Sequence, residues 1–232
     1  MTDRQTPRIS SRKQPQQARS TELVAAILQA AAQVLEKEGA ARFTTARIAE
    51  RAGVSVGSVY QYFPNKAAIL FRLQLDEWRQ TTEMMLGILA DVRRPPRQRL
   101  RALVHAFLRS ECEEARMRMA LHDAAPLYRD APEARQAHAS GKQAMQAFMR
   151  ELLPESRRAI RTVAGDLIMT TLAKVGKHFS GSPRSAAEIK AYANAMGDMF
   201  CAYVDKIEPE SHPAARRPSS RNRPRVRSQA AQ

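Results

Sequence analysis

Residues 44–70 read TTARIAERAGVSVGSVYQYFPNKAAIL, and the spacing inside this run decides the fold. Thr44 stands where a hydroxyl can accept from the free amides of a helix's first turn, and a short helix follows through Ile48, Ala49 and Ala52. Gly53 ends it, because the chain must leave through a left-handed conformation that a side chain resists. Ser55 is placed to cap a third helix, on which Val59 and Tyr62 or Phe63 turn back toward a core. Ala49 is small where that helix must cross closely. Upstream, Ser20 or Thr21 caps a first helix whose Leu23, Ile27, Ala30, Ala31, Val34 and Leu35 share one face and which stops at Gly39.

Two short helices joined by a tight glycine turn have the spacing of a helix-turn-helix, whose second helix lies in the DNA major groove with its first residues at base edges. The rest of the chain is read from its prolines, which are costly inside a helix and tolerated at its ends. Between the two tails they fall only at Pro64, Pro95, Pro96, Pro126, Pro132, Pro154 and Pro183, and the segments between them repeat apolar residues every three or four positions. No window alternates with period two between hairpin turns. These patterns predict an all-α fold of about nine helices, with an N-terminal three-helix domain over 20–66 and a larger helical domain over 67–207.

The run closely resembles the N-terminal DNA-binding domain of the TetR family of bacterial transcriptional repressors. The resemblance rests on Ile48-Ala49, Ala52 to Ser55, the Tyr-x-Tyr-Phe of Tyr60, Tyr62 and Phe63, and Asn65-Lys66 opening a fourth helix. It implies that Thr45 contacts phosphate, that Val56, Gly57 and Ser58 enter the major groove, and that Tyr60 and Tyr62 sit against phosphates or base edges. Lys66 and its helix N-terminus would clamp the backbone. Hydroxyls such as those of Thr44 and Thr45 and helix-end amides suit phosphate oxygens. Val56 can touch a thymine methyl and Gly57 lets backbone approach closely, but neither reads a hydrogen-bond code. Base-reading donors are few: Arg47, Gln61 and Asn65. Shape and an N-terminal arginine such as Arg12 or Arg19 in a minor groove would then add specificity. For Tyr60 and Tyr62 the alternative is a core aromatic.

Charge supports a polyanionic partner. Of 232 residues, 38 are Lys or Arg and 23 Asp or Glu, a net charge of +15 with a pI near 10.7. Residues 1–19 carry five basic residues against Asp3, and residues 208–232 six arginines against Glu208 and Glu210. Both tails are rich in Ser, Gln, Pro and Arg, so each is expected to be a disordered basic arm that contacts phosphate or only aids solubility. A hydrophobic content of 44% is globular and excludes global disorder and a membrane protein. Leu23–Leu35 is too short and, with Gln29 and Gln33, too polar to span a bilayer. No apolar stretch follows the basic N-terminus as a secretory signal would need, so a cytoplasmic location is expected.

The resemblance also implies that the larger domain binds a small molecule and dimerises through its last two helices. Soft and aromatic candidates for a ligand cavity are Trp78, Met85, Phe107, Met117, Tyr128, Met145, Phe148 and Met149, with His105 and His122 as polar handles. They would suit a small apolar or aromatic effector, cations included, though each alone can be plain core. For the dimer interface the candidates are Ile160, Leu167, Leu172 and Val175 on one helix and Tyr192, Met196, Met199, Phe200 and Tyr203 on the last, because one domain rarely buries so broad an apolar face alone. Arg93, Arg94, Arg97, Arg99 and Arg101 form either a solvated helix end or an anion site.

Enzyme chemistry is not indicated: there is no GxGxxG, GxxxxGK[ST] or HExxH, and His122-Asp123 is a neighbour pair. Cys112 and Cys201 lie far apart without CxxC or histidine neighbours, so neither metal nor cofactor is expected. The reading is a homodimeric repressor that binds a palindromic operator in duplex DNA and is released by a small effector. The alternative is a nonspecific or architectural DNA-binding protein driven by its basic tails. A carrier that ignores DNA is a third possibility.

Overall fold

The structure, a computed structural model, describes residues 18–124 and 132–208. Among the described residues there are nine α-helices, one 3-10 turn at Ala40–Arg42 and no strand. In chain order they are α1 (Ala18–Glu38), α2 (Thr45–Ala52), α3 (Val56–Tyr62), α4 (Lys66–Leu89), α5 (Pro96–Glu113), α6 (Ala115–Ala124), α7 (Pro132–Leu152), α8 (Arg158–Ser180) and α9 (Ala186–Ile207). α1 begins at Ala18, two residues before the expected caps Ser20 and Thr21.

Helix starts obey local chemistry. Thr44 Oγ1 accepts from the Arg47 amide at 3.3 Å, Ser55 Oγ from the Ser58 amide at 3.0 Å and Asn65 Oδ1 from the Ala68 amide at 2.9 Å. Ser185 and Glu188 close a reciprocal capping box on α9. Gly53 ends α2 at φ 67°, and its amide reaches back to the Ala49 and Glu50 carbonyls. Pro96 opens α5 where a missing N–H costs nothing.

Two cores follow. The first joins α1, α2 and α3 to the opening turns of α4: Ile27, Val34, Leu35, Phe43, Ile48, Val59, Phe63 and Ile69 are almost fully buried. Each such aliphatic side chain stabilises by ~1.5–3 kcal/mol on leaving water. Ala120 and Leu121 of α6 enter this same core, so the head rests on the larger domain. The second core holds Met85 and Leu89 of α4 with apolar faces of α5, α7, α8 and α9. α4 therefore contributes to both cores.

The arginines around Pro95 are engaged internally. Arg97 pairs with Asp205 at 2.7 Å and with Glu208, and Arg101 with Asp198. His105 Nε2 and Asn194 Oδ1 lie 2.9 Å apart. Residues 97, 101 and 105 stand one helical turn apart on α5, so this polar ladder zips α5 antiparallel to α9. Arg93 and Arg94 hold Asp91. Arg99 lies inside the second core, pairing with Glu151 and donating to the Leu89 carbonyl at 2.6 Å.

The broad apolar faces of α8 and α9 divide in two. Leu172, Met196 and Phe200, expected at a dimer interface, fill the protomer's own core, and Val175 and Tyr203 pack half-buried against it. The apolar residues of each of these helices form two stripes on different faces, and only one of them faces outward. That stripe keeps Ile160, Val163 and Leu167 of α8 and Tyr192 and Met199 of α9 exposed. Tyr192 also stacks on Phe179 with ring centroids 4.2 Å apart.

Candidate nucleic-acid interface and ligand cavity

α3 has two distinct sides. Val59, Tyr62 and the following Phe63 point into the head core, whereas Val56 is 40% and Tyr60 41% exposed, with Gly57 and Gln61 exposed beside them. The αL turn at Gly53 and the Ser55 cap hold this outer face in one orientation. Tyr62, expected at phosphates or base edges, is only 7% exposed and belongs to the core. Three residues separate it from Val59, so the helix period that presents Tyr60 turns Tyr62 inward.

The other expected contact residues differ in how free they are. Lys66 is exposed at the first position of α4. Thr44 is exposed but caps α2, and Thr45 is half-buried in that helix's first turn. Arg47 pairs with Glu38, which Arg51 also approaches at 3.9 Å, so its charge is already partly matched. Ser58 Oγ lies 2.8 Å from Ser55 Oγ. Asn65 accepts through Oδ1 from the Ala68 amide and so caps α4. The arms beyond residues 18–208, with Arg12, and the Arg19 side chain lie outside the described residues. Gly53 to Gly57 also spells the G-x-S-x-G spacing of a nucleophile elbow, but here it joins helix to helix, and Ser55 Oγ is engaged with Ser58.

Gly57 stands out. A Cβ built there would meet only Ser55 Oγ, at an ordinary 3.6 Å, and its φ is helical. Nothing in the protein demands a glycine at a helical position where alanine would be more stable by roughly 0.5–1 kcal/mol.

Behind the head, two adjoining cavities of about 280 and 440 Å³ open between α4, α5, α7 and α8 and between α4, α5, α6 and α8. Trp78 and Phe107 line both, Met85 and Met145 the smaller and His122 the larger. Four expected lining residues are elsewhere. His105 faces Asn194 of α9, Met117 packs against the head core, Phe148 lies under the Arg99 guanidinium, and Met149 borders a separate polar pocket with Arg150, Arg158 and Arg161. Tyr128 lies outside the described residues.

Sequence reasoning missed the polar wall of the larger cavity. Arg118 of α6 lies 3.1 Å from Glu77, pairs with Glu111, and bonds Glu114 at 3.0 Å. Burial pushes the Glu77 and Glu111 carboxyls above the usual carboxylate range, against the pull of Arg118. Glu114 and Arg118 share a helical spacing of four residues, a signal open to sequence, but Glu77 and Glu111 join them only because three helices converge. Among the described residues no group of three or more His, Cys, Asp or Glu side chains is placed to hold a metal ion, and no helix is long and apolar enough to cross a membrane.

Comparison with known proteins agrees with this architecture. Residues 27–73 match the family model described as bacterial regulatory proteins, tetR family, and residues 95–207 the one described as tetracyclin repressor-like, C-terminal domain. Over 83 residues, 35% of the chain and 42% of the relative, it is 36% identical to the nucleoid occlusion factor SlmA of Vibrio campbellii. The chain thus spans about two fifths of that curated relative's length. A Mesorhizobium loti protein described as a TetR-family transcriptional regulator superposes with a TM-score of 0.65 at 18% identity, covering 81% of this chain and 98% of that one. SmeT, the repressor of the Stenotrophomonas maltophilia multidrug efflux pump SmeDEF, gives 0.59 at 22%, covering 77% and 88%. At such identities the likeness is one of fold.

Proposed function

The chain belongs to the TetR family of bacterial regulatory proteins, and from that premise we propose that it is a ligand-responsive repressor that binds a palindromic operator as a homodimer and is released by a small effector. As a member of that family it is a transcriptional regulator with a DNA-binding domain. It would act in the cytoplasm, where its duplex target lies.

The observation that carries the proposal is the outer face of α3, on which Val56, Gly57, Tyr60 and Gln61 are presented by a helix whose other side is locked into the head core. In this reading Gly57 lets the α3 backbone approach the groove, Val56 and Tyr60 meet bases and phosphates, and Lys66 and Thr45 hold the phosphate backbone from flanking helix starts. Two such heads related by a two-fold axis suit half-sites about one helical turn apart. The exposed stripe of α8 and α9 is the surface available for that pairing. α4 and α6 each line a cavity and also enter the head core, so an occupant has direct mechanical access to head position. Coupling of about 1–3 kcal/mol suffices to change operator occupancy severalfold.

Selection of bound duplexes from a random pool tests the proposal: a two-fold symmetric consensus is expected, and absence of enrichment rejects it. Gly57→Ala sharpens the test. It should leave unfolding stability equal or raise it by up to about 1 kcal/mol, while weakening affinity for the selected duplex by about tenfold or more through lost close approach. Unchanged duplex affinity would remove α3 from the interface.

A further inference from the structure

A third pocket, of about 360 Å³, lies at the corner between the end of α7 and the start of α8. Gln146 and Arg150, one turn apart on α7, border it together with Arg158, Arg161 and Thr162, which share a face at the start of α8. Met149, 1% exposed, forms its apolar side. The corner stands far from the head. Arg99 ties the Leu89 carbonyl at the end of α4 to Glu151 of α7, so the pocket lies by the end of α4 opposite the head, about 35 Å along that 24-residue helix.

The charges around it have one sign. Three guanidiniums and no carboxylate line the pocket. The nearby acids are engaged or off the pocket: Glu151 pairs with Arg99, Asp166 lies 3.9 Å from Lys142, and Glu155 is outside the lining. Arg97, Arg99, Arg101 and Arg118 each have a carboxylate partner, whereas none of these three arginines forms an ion pair among the described residues. Arg161 is held in place, its Nη1 donating to the Leu153 and Pro154 carbonyls at 3.4 and 3.3 Å. Arg150 and Arg158 are exposed and keep their donors for a ligand. α8 begins here without a side-chain cap, so the positive end of its dipole adds to the same field.

We propose that this corner binds a diphosphate group, free or carried by a nucleotide, between Arg150 of α7 and Arg158 and Arg161 of α8. The site goes beyond the operator reading above and does not rest on it. Guanidinium forks match phosphate oxygens bidentately, and the Gln146 amide and Thr162 hydroxyl supply uncharged donors. A diphosphate brings about three negative charges near neutral pH against three guanidiniums, where a monocarboxylate would leave two cations unmatched. A duplex held by the head is too distant to be the source of these phosphates, so the ligand is a small molecule.

Calorimetric titration of the full-length protein at physiological ionic strength, without divalent cations, tests this. We expect inorganic pyrophosphate to saturate a single site per protomer and to bind about tenfold or more tighter than orthophosphate. Arg150→Gln with Arg158→Gln should lose about tenfold or more of that affinity while keeping the native circular dichroism spectrum, since both side chains are exposed. Should the double variant not fold, Arg158→Gln alone must weaken binding severalfold. Arg109→Gln with Arg116→Gln removes the same charge from exposed positions of α5 and α6 and should leave pyrophosphate binding unchanged. ADP binding tighter than pyrophosphate identifies a nucleotide as the source of the diphosphate, and ADP binding no tighter identifies the free ion. Absence of saturable binding to the native protein overturns the proposal. So does affinity unchanged in Arg150→Gln with Arg158→Gln, which would put the anion on the basic tails, and so does an equal loss in the two double variants, which would reduce the effect to net charge. Displacement of pyrophosphate by unselected duplex DNA would make the corner a nucleic-acid surface and overturn it too.

Discussion

Leu167→Asp combined with Met199→Asp is expected to convert the protein into a folded monomer that loses about 100-fold or more of its affinity for a palindromic duplex. Both side chains are about half exposed, at 47% and 50%, on the stripe that also carries Ile160, Val163 (62% exposed) and Tyr192. Five large apolar side chains on two adjacent helices form a surface that water solvates poorly and a second copy can cover. A carboxylate placed on each helix must be desolvated on association. Neither substitution touches the core, which is filled from the opposite side by Leu172, Met196 and Phe200, so the protomer should keep its stability. The affinity loss follows from effective concentration: once one head is bound, the second half-site is reached intramolecularly, an advantage of about 10²–10⁴ that a monomer forfeits. Sedimentation velocity with anisotropy titration of a labelled duplex measures both effects. A double variant that remains dimeric, or binds as tightly as the native protein, would refute this interface.

Arg99→Ala should destabilise the larger domain by about 3 kcal/mol. Arg99 is 1% exposed, yet it carries a charge. Its guanidinium reaches the Leu89 carbonyl at the end of α4, meets Glu151 of α7, and stands 5.4 Å from the centre of the Phe148 ring. It therefore closes the C-terminus of one helix with a cation from another and bonds both to a third, the placement that the helix dipole favours. Alanine would remove the largest fully buried side chain among the described residues, open a cavity under Phe148 and take away the donor that Arg99 gives the α4 terminus. Glu151 is half exposed, so its loss costs less: Glu151→Gln should lower stability by about 1 kcal/mol, since an amide oxygen can still accept. Urea unfolding followed by circular dichroism gives the comparison. If Arg99→Ala proves no more costly than Glu151→Gln, the buried guanidinium is not the tie between these helices.

Much of the candidate interface was legible in the sequence because the rules that build it are local. Thr44, Ser55 and Asn65 cap helices within three residues of themselves, and Gly53 is needed at the turn where it stands. Legibility was partial at Tyr62, read both as a groove contact and as a core aromatic until the helix period decided its direction. It failed more widely in the larger domain. His105 and Met117 have the chemistry of cavity residues and lie on helices that border the cavities, yet they point to α9 and to the head.

What can be known from the chain alone comes down to interactions a few residues long: that it is helical throughout its described length, where its helices begin, that a glycine turn sets a short helix on a three-helix head, and that it carries a large positive charge. Those outcomes depend on backbone geometry and apolar period, which neighbouring residues settle among themselves. Helix packing decided the rest. Which of two apolar stripes on α8 and α9 is core, whether five arginines are solvated or paired, and whether Glu77, Glu111 and Arg118 meet are matters of how rigid rods cross. Residues 77 and 111 lie on different helices, and no local rule carries that far.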